Sequence, residues 1–548
     1  MIPKPQLILG YNEFFSEEVP ENRLDIISFI DKKSLIAEFT GLNYRLKPKN
    51  RLFYDKTLES QSKELKYFCP IDENLYNDYL KVTEKYSNSS TDFPLIFTRR
   101  TCLYALEEII SSDIPINDKF VMRKVEVWDA LFRYILLINS TITEIEDDKS
   151  KESIVDFETL NSKSIPLNES IIDSEPMYIA YRGYHLLNYL DNTDHFKGLV
   201  SEYIKEKYNL EPNKFIFEIL SMFIANNSSK EMLDFHYSLN PKDHRSILFE
   251  ELSEKMETND FHKLLNIRKN PFYKFDKSTY VLTDNIFLLE KTYSQFINDF
   301  WFEKIKINIS KENKKTYNIA NFRSNVGYFF ENYVDSIIKY SFQKASKFKI
   351  KLFEDLEKSG KEFSDIYIRN KNKIILGEVK STGLYDAEKY SLDIDSFYKG
   401  NRNLFFKNFG INQVVESIKN FRTEINKFDN QISSKGYYII YPIIVFNEKA
   451  LQTPLMSIIF QKRFEELITD YKDRKLKIKP LSIIHISDLE RMEGYINKNP
   501  QKIFEILNKH CYNLDFIPPF NITLNIMNLK IDYKKPKALF KKLISKYK

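Results

Sequence analysis

Between Phe363 and Thr382 the chain reads FSDIYIRNKNKIILGEVKST, and this stretch constrains the rest more than any other. Two β-prone runs, Ile366-Tyr367-Ile368 and Ile374-Ile375-Leu376, flank the polar, turn-forming Asn370-Lys371-Asn372-Lys373. That is the pattern of a β-hairpin. A tight turn centred on Lys371 and Asn372 pairs Arg369 with Ile374, and counting outward sets Asp365 opposite Glu378. Directly opposed residues on one face have Cβ atoms roughly 4.5–5.5 Å apart. Lys380 shares that face, because strand side chains alternate. Two carboxylates and one ammonium are therefore expected to converge at the end of a hairpin that should otherwise be apolar.

This combination suits phosphodiester hydrolysis. Paired carboxylates can hold Mg²⁺, a hard cation that takes oxygen ligands and keeps several waters. Such a metal offsets charge on a phosphate and lowers the pKa of a bound water. A nearby lysine can orient or deprotonate that water. Taken without its surroundings, the D-x(12)-E-x-K spacing describes equally well a surface hairpin laced by cross-strand salt bridges.

Ser364-Asp365 followed by Gly377-Glu378-Val379-Lys380 resembles the PD-(D/E)XK nuclease superfamily, with Ser364 in place of the proline of the name. The resemblance implies a restriction-endonuclease-like αβββαβ core, with the D and the E-x-K on neighbouring central strands. The flanking elements can be sought in order. Val326–Phe342 reads as a helix, with Phe329, Tyr333, Ile337 and Tyr340 on one stripe widened by Phe330, Val334 and Ile338. Gly327 with Phe330-Glu331 resembles the G-x-x-F-E pattern of the superfamily's first helix, which implies that Glu331 faces the metal. Ile411–Phe421 reads as an amphipathic helix through Val414, Ile418 and Phe421. Its Gln413 resembles the Q-x-x-x-[YI] element, although Ile418 follows at a spacing of five. Gly436–Phe446 suits a buried strand. Leu481–Ser487 suits another, followed by a helix opening at Asp488-Leu489-Glu490. The resemblance spans 318–498. It implies a Mg²⁺-dependent endonuclease, with Mn²⁺ as the substitute ion. Asp365, Glu378 and Glu331 would be ligands, Lys380 would position the water, and Gln413 would support the water or a phosphate oxygen. It also implies a bacterial restriction or anti-phage role.

At 548 residues there is room for several domains. Residues 1–95 read as a small mixed α/β unit, with strands or short helices at 6–9, 24–29 and 34–39. Residues 96–275 read as mainly helical, with Trp128, Leu131, Ile135 and Ile138 forming one core stripe. An acidic, serine-bearing linker is expected at 144–164. Ser278–Leu282 and Asp284–Phe302 form a strand-to-helix lead-in within 276–317, and 499–548 is a Lys-rich extension. The expected fold class is thus multi-domain α/β, a mostly helical N-terminal region preceding the nuclease core. His185, His195, His236 and His244 lack the spacing of a metal set.

A net charge of +5 is too small for this length to imply nucleic acid by itself. The insertion at 382–409 is more informative, because it interleaves aromatic and basic residues. Lys399, Arg402 and Lys407 are the candidate phosphate contacts there, the alternative being a loop that packs its own aromatics. The Lys-rich end is either a phosphate clamp or a solvated helix. Cys69, Cys102 and Cys511 are far apart and fit a reducing compartment. No apolar run approaches about 18 residues. A cytoplasmic protein without membrane contact is expected, with duplex DNA as partner and a protein partner or second copy bound through the N-terminal region. Two other readings stay open: a nucleic-acid-binding scaffold with a non-catalytic nuclease fold, and an RNA nuclease.

Overall fold

The computed structural model describes residues 7–47, 57–68, 73–87, 94–117, 125–143, 175–228, 235–240, 243–253, 264–309, 318–358, 361–383, 406–433, 435–452, 456–512 and 517–547. It is a mixed α/β protein. Among the described residues no helix is long and apolar enough to cross a membrane.

The N-terminal part is helical, so of the strands or short helices expected at 24–29 and 34–39 the helical alternative is the one found. Leu35, Ile36, Phe39 and Leu42 recur at helical spacing and are buried on α1 (Lys32–Arg45). The Asp31 carboxylate starts that helix by accepting the Ser34 N–H at 2.8 Å. Residues 23–26 form a single 3₁₀ turn, and strand-like pairing among the described residues before 100 is limited to the Ile8–Leu95 bridge. Side chains of α1, α2 (Arg99–Ser111) and α3 (Val125–Thr143) share one apolar core, so residues on both sides of position 95 contribute to it. That core also takes in Val281 and Phe287 from the lead-in. The expected linker at 144–164 lies outside the described residues.

Helices α4 (Pro176–Asn192) and α5 (Pro212–Ser228) follow. Next comes a three-stranded antiparallel sheet of β1 (His236–Ser238), β2 (Phe272–Lys274) and β3 (Thr279–Leu282), in the order β1-β3-β2. The lead-in continues as α6 (Asn285–Glu290) and α7 (Ser294–Phe300). Asp284 caps α6 through the Ile286 and Phe287 N–H groups and pairs with Arg99 at 2.8 Å, both side chains buried. A capping carboxylate paired this way fixes the lead-in against α2.

The second sheet begins after the long helix α8 (Ile319–Phe342). Strands β4 (Lys349–Leu352), β5 (Ile366–Asn370) and β6 (Lys373–Lys380) form an antiparallel meander. Helix α9 (Ile411–Lys419) then leads to β7 (Tyr438–Phe446), which runs parallel to β6. After α10 (Met456–Ile468), β8 (Leu476–Ile478) and β9 (Ser482–His485) both pair in parallel with β7. Alternation along the strands builds two apolar layers. Ile366, Ile368, Ile375 and Val379 face α8 and α11 (Ile486–Lys498), while Tyr367, Ile374 and Leu376 face α9 and α10. The core on the α8 side continues into α4, α5 and α7.

The Lys-rich end forms α12 (Lys534–Tyr547), packed on α4 and α5. Leu543 is buried, and Phe540 and Tyr547 lie against Phe217 at 6.2 and 5.8 Å. Lys535 pairs with Glu493 at 2.5 Å, while Lys537, Lys541 and Lys542 are exposed.

Gly377 allows β6 and β7 to lie at their observed separation. A Cβ there would stand 2.5 Å from Ile443 Cγ1 and 3.3 Å from Ile366 Cβ. Gly377→Ala is expected to destabilise the fold by about 1–3 kcal/mol through overpacking. Urea unfolding of both proteins, compared at equal m-value, measures this; equal midpoints would show that the sheet adjusts freely.

Candidate metal-binding and catalytic centre

The β5–β6 hairpin has the register expected from its sequence. Arg369 pairs with Ile374 and Ile366 with Gly377, so Asp365 falls opposite Glu378. Lys371 takes a positive φ of 55° in the turn. One Asp365 oxygen accepts the Val379 N–H at 2.6 Å, which fixes the carboxylate against β6. The Lys380 ammonium donates to Glu378 Oε2 at 2.8 Å and reaches Asp365 Oδ2 at 3.5 Å. Asp365 and Glu378 are both buried. The three charges lie on the face covered by α9, whose start at Gly410 (φ 85°) comes very close. A Cβ at Gly410 would lie 2.8 Å from Lys380 Cε and 3.2 Å from Glu378 Cβ. No side chain caps this helix. Its partially positive N-terminal end therefore lies against the acids, where a helix dipole favours negative charge.

Glu331 arrives from the other layer. It sits on α8, and Gly327, one turn earlier, lies close enough to the strand end that a Cβ would be 3.4 Å from Ser381 Oγ. Burial, with Asp365 repulsion added and Lys380 attraction opposing, pushes the Glu331 carboxyl up to about 7. Glu378 is pushed up to about 8, first by burial and then by Asp365, again against Lys380. Burial works against the Lys380 ammonium too, yet Glu378 and Asp365 hold its pKa above the usual lysine value.

A fourth acid was not singled out from the sequence. Glu362 ends a two-residue strand, Lys361–Glu362, that pairs with Glu357–Lys358. Burial, Asp365 repulsion and a hydrogen bond with Asp365 push it up to about 8. It is also open to solvent on one side, which weakens each of these effects. The signal available was its position three residues before Asp365 in a segment that must turn into β5.

Asp365, Glu378, Lys380 and Glu331 are thus brought together, but not as a finished metal cage. Among the described residues no group of three or more Asp, Glu, His or Cys side chains has metal-holding geometry. The expectation that Glu331, Asp365 and Glu378 already stand within bridging reach is corrected accordingly. Closely spaced carboxylates repel, and here the Lys380 ammonium supplies the compensating positive charge between two of them. Gln413 is exposed on α9, and its backbone carbonyl accepts the Ser417 hydroxyl at 2.9 Å. Its side chain makes no hydrogen bond to the acids among the described residues. Lys399 and Arg402 lie outside the described residues, while Lys407 is exposed just before the turn into α9.

A cleft of about 860 Å³ opens beside this centre. Glu331 and Ser381–Gly383 line one side, α7 and Arg182 another, and Asn447 and His485 the end of the sheet. Behind it lies a buried polar network. Glu490 takes Arg182 at 3.0 Å and the Tyr333 hydroxyl at 2.8 Å, and Asp488 accepts from Gln452 at 3.0 Å. His485 is committed to Ser487 at 2.6 Å and to the Asn447 carbonyl at 3.1 Å. Comparison with protein-family models, with curated proteins and with solved structures gives no match for this chain.

The raised carboxyls set a direction for stability against pH in the absence of metal. A folded pKa of about 7 for Glu331 and about 8 for Glu378, against 4.5 as the ordinary value, means that the folded state binds these protons more tightly than the unfolded one. Their favourable contribution is complete below about pH 4.5 and is lost as pH rises through 7 to 8. Melting in EDTA from pH 5 to pH 9 should show a decline over that window that is shallower in Glu378→Gln. Parallel curves for the two proteins would remove the cluster as the source of the decline.

Proposed function

We propose that this protein is a Mg²⁺-dependent nuclease that cuts DNA internally. The observation that carries the reading is the convergence of Asp365, Glu378 and Lys380 on one sheet face, with Glu331 reaching in from α8. The order of elements adds support: helix, three antiparallel strands, helix, parallel strand. It is the order that the resemblance to the PD-(D/E)XK superfamily calls for, and a role in bacterial restriction or anti-phage defence follows from that resemblance alone.

The donor set fits a hard cation, because every candidate ligand offers carboxylate oxygen. Asp365 and Glu378 would hold it, with Glu331 completing the set, and Mn²⁺ would be accepted in place of Mg²⁺. When bound, the ion neutralises charge on the scissile phosphate and acidifies a coordinated water. The chain's own contributions are distinct. Asp365 is oriented by the Val379 N–H, so its carboxylate is held in a fixed direction. Lys380, whose ammonium is held in its charged form by Glu378 and Asp365, would donate to the attacking water and orient it. The N-terminal end of α9 favours anionic charge at the same place.

A second reading has its own observation. Lys380 already neutralises Asp365 and Glu378, as a non-catalytic scaffold of a nucleoprotein complex would require.

Thermal melts and cleavage assays separate the two. The enzyme reading expects Mg²⁺ to raise the wild-type melting temperature, with about 2.7 kcal/mol gained at a hundredfold excess over Kd. Asp365→Ala and Glu378→Ala should lose that shift and all cleavage of DNA, whether plasmid or single-stranded. Lys380→Ala should keep a metal response but hydrolyse far more slowly. The scaffold reading expects all three variants to be mildly destabilised, with no melt responding to Mg²⁺. Intact DNA and RNA in every assay, together with metal-indifferent melting, would end the nuclease reading.

A further inference from the structure

Helix α8 carries more than Glu331 along the cleft. Arg323, Ser324, Gly327, Tyr328 and Glu331 all line it, at the three- and four-residue spacings that put side chains on one face of a helix. Tyr328 is the unusual member. It is a large aromatic residue, 54% exposed, one helical turn from a carboxylate of the proposed centre. Tyr189 of α4 packs on the same helix, its ring centroid 5.7 Å from that of Phe329, the residue after Tyr328. Arg323 is exposed further along the same helix, about 12 Å from Glu331 at 1.5 Å of rise per residue.

We infer that this strip is a stacking platform that admits DNA to the acidic centre as a single strand. The inference rests on the nuclease reading above for its ligand class and names the form of the substrate. An exposed aromatic ring with an arginine beyond it supplies the two contacts by which single strands are held, base stacking and phosphate pairing. The platform is continuous with the centre, because Gly327 backs onto Ser381, the residue after Lys380. The cleft's size points the same way. Its volume of about 860 Å³ is in the range of pockets that enclose small ligands. It takes on the order of one or two nucleotides and does not enclose a duplex. A base beside the scissile phosphate would lie on Tyr328, and a phosphate further along would meet Arg323.

The experiment uses the full chain in EDTA, so that binding is read without cleavage. Fluorescence anisotropy compares a labelled 12-nucleotide single strand with a blunt duplex of the same sequence. The single strand should bind more tightly. Tyr328→Ala should weaken it about tenfold, Tyr328→Phe should restore it, and Arg323→Gln should lower the salt slope by about one phosphate's share. Melting curves confirm that each variant is folded. Equal or tighter binding of duplex, or an unchanged single-strand affinity in Tyr328→Ala, overturns the platform. Addition of Mg²⁺ then separates this result from the nuclease reading. Single-strand binding that depends on Tyr328 without any cleavage keeps the platform and removes the enzyme. Cleavage by wild type with full affinity retained in Tyr328→Ala does the reverse.

Discussion

The register of β5 against β6 is the constraint on which the rest of the centre depends. Strand side chains alternate, so a slip of one residue would move every one of them to the other face. Asp365 and Glu378 would then separate, and apolar residues now facing α8 would be presented to α9. Two features hold the register. The Asp365 carboxylate takes the Val379 N–H, a charge-assisted bond placed where the ladder ends. Gly377 sits opposite Ile366, where a Cβ would stand 3.3 Å from the Ile366 Cβ, so a side chain slipped into its place would crowd β5. The same hairpin thus has an apolar majority that pins it in the sheet and a polar end that the sheet cannot bury cheaply.

Lys380 answers the electrostatic problem this creates. Two buried carboxylates at close range repel, and leaving either one unpaired would cost several kcal/mol. The ammonium between them lowers that cost and does so reversibly, being tied to flexible methylenes and not to backbone. The N-terminus of α9 contributes in the same sense. Its approach depends on Gly410, whose left-handed backbone and missing Cβ let the helix start directly against Lys380 and Glu378.

Much of this part of the chain was legible because its periodicities are clean. Arg369 opposite Ile374, the stripe Phe329-Tyr333-Ile337 and the run Tyr438–Phe446 each have one geometry that buries them, and each is found in it. The N-terminal segment stayed open between strand and helix because Leu35-Ile36 and Phe39 fit both, and the deciding contribution, the Asp31 cap, is a single residue. Glu362 was missed because its role arises from where a two-residue strand ends, which no spacing rule encodes. Gln413 matched a pattern by residue type, but α9 turns it toward solvent. Asp488 and Glu490 open a helix as expected, and both are buried along with Glu493. Their partners, Gln452, Arg182, Tyr333, Tyr178 and Lys535, are scattered over the sequence, and such pairings appear only in three dimensions.

That scattered network also decides how the helical region relates to the centre. Arg182 on α4 and Tyr333 on α8 meet at the same Glu490 oxygen, and Tyr178 and Lys535 meet at Glu493. Glu331 lies on α8, two residues before Tyr333. Any shift of α4 against α11 would therefore draw on a buried ionic contact whose loss leaves a carboxyl without its cation, and would move the helix that carries Glu331 with it. An appended module joined by a tether would have no need of such contacts. Here the apolar core on the α8 side runs without a break from α5 to β6, so the N-terminal helices are part of what holds the acidic centre in position.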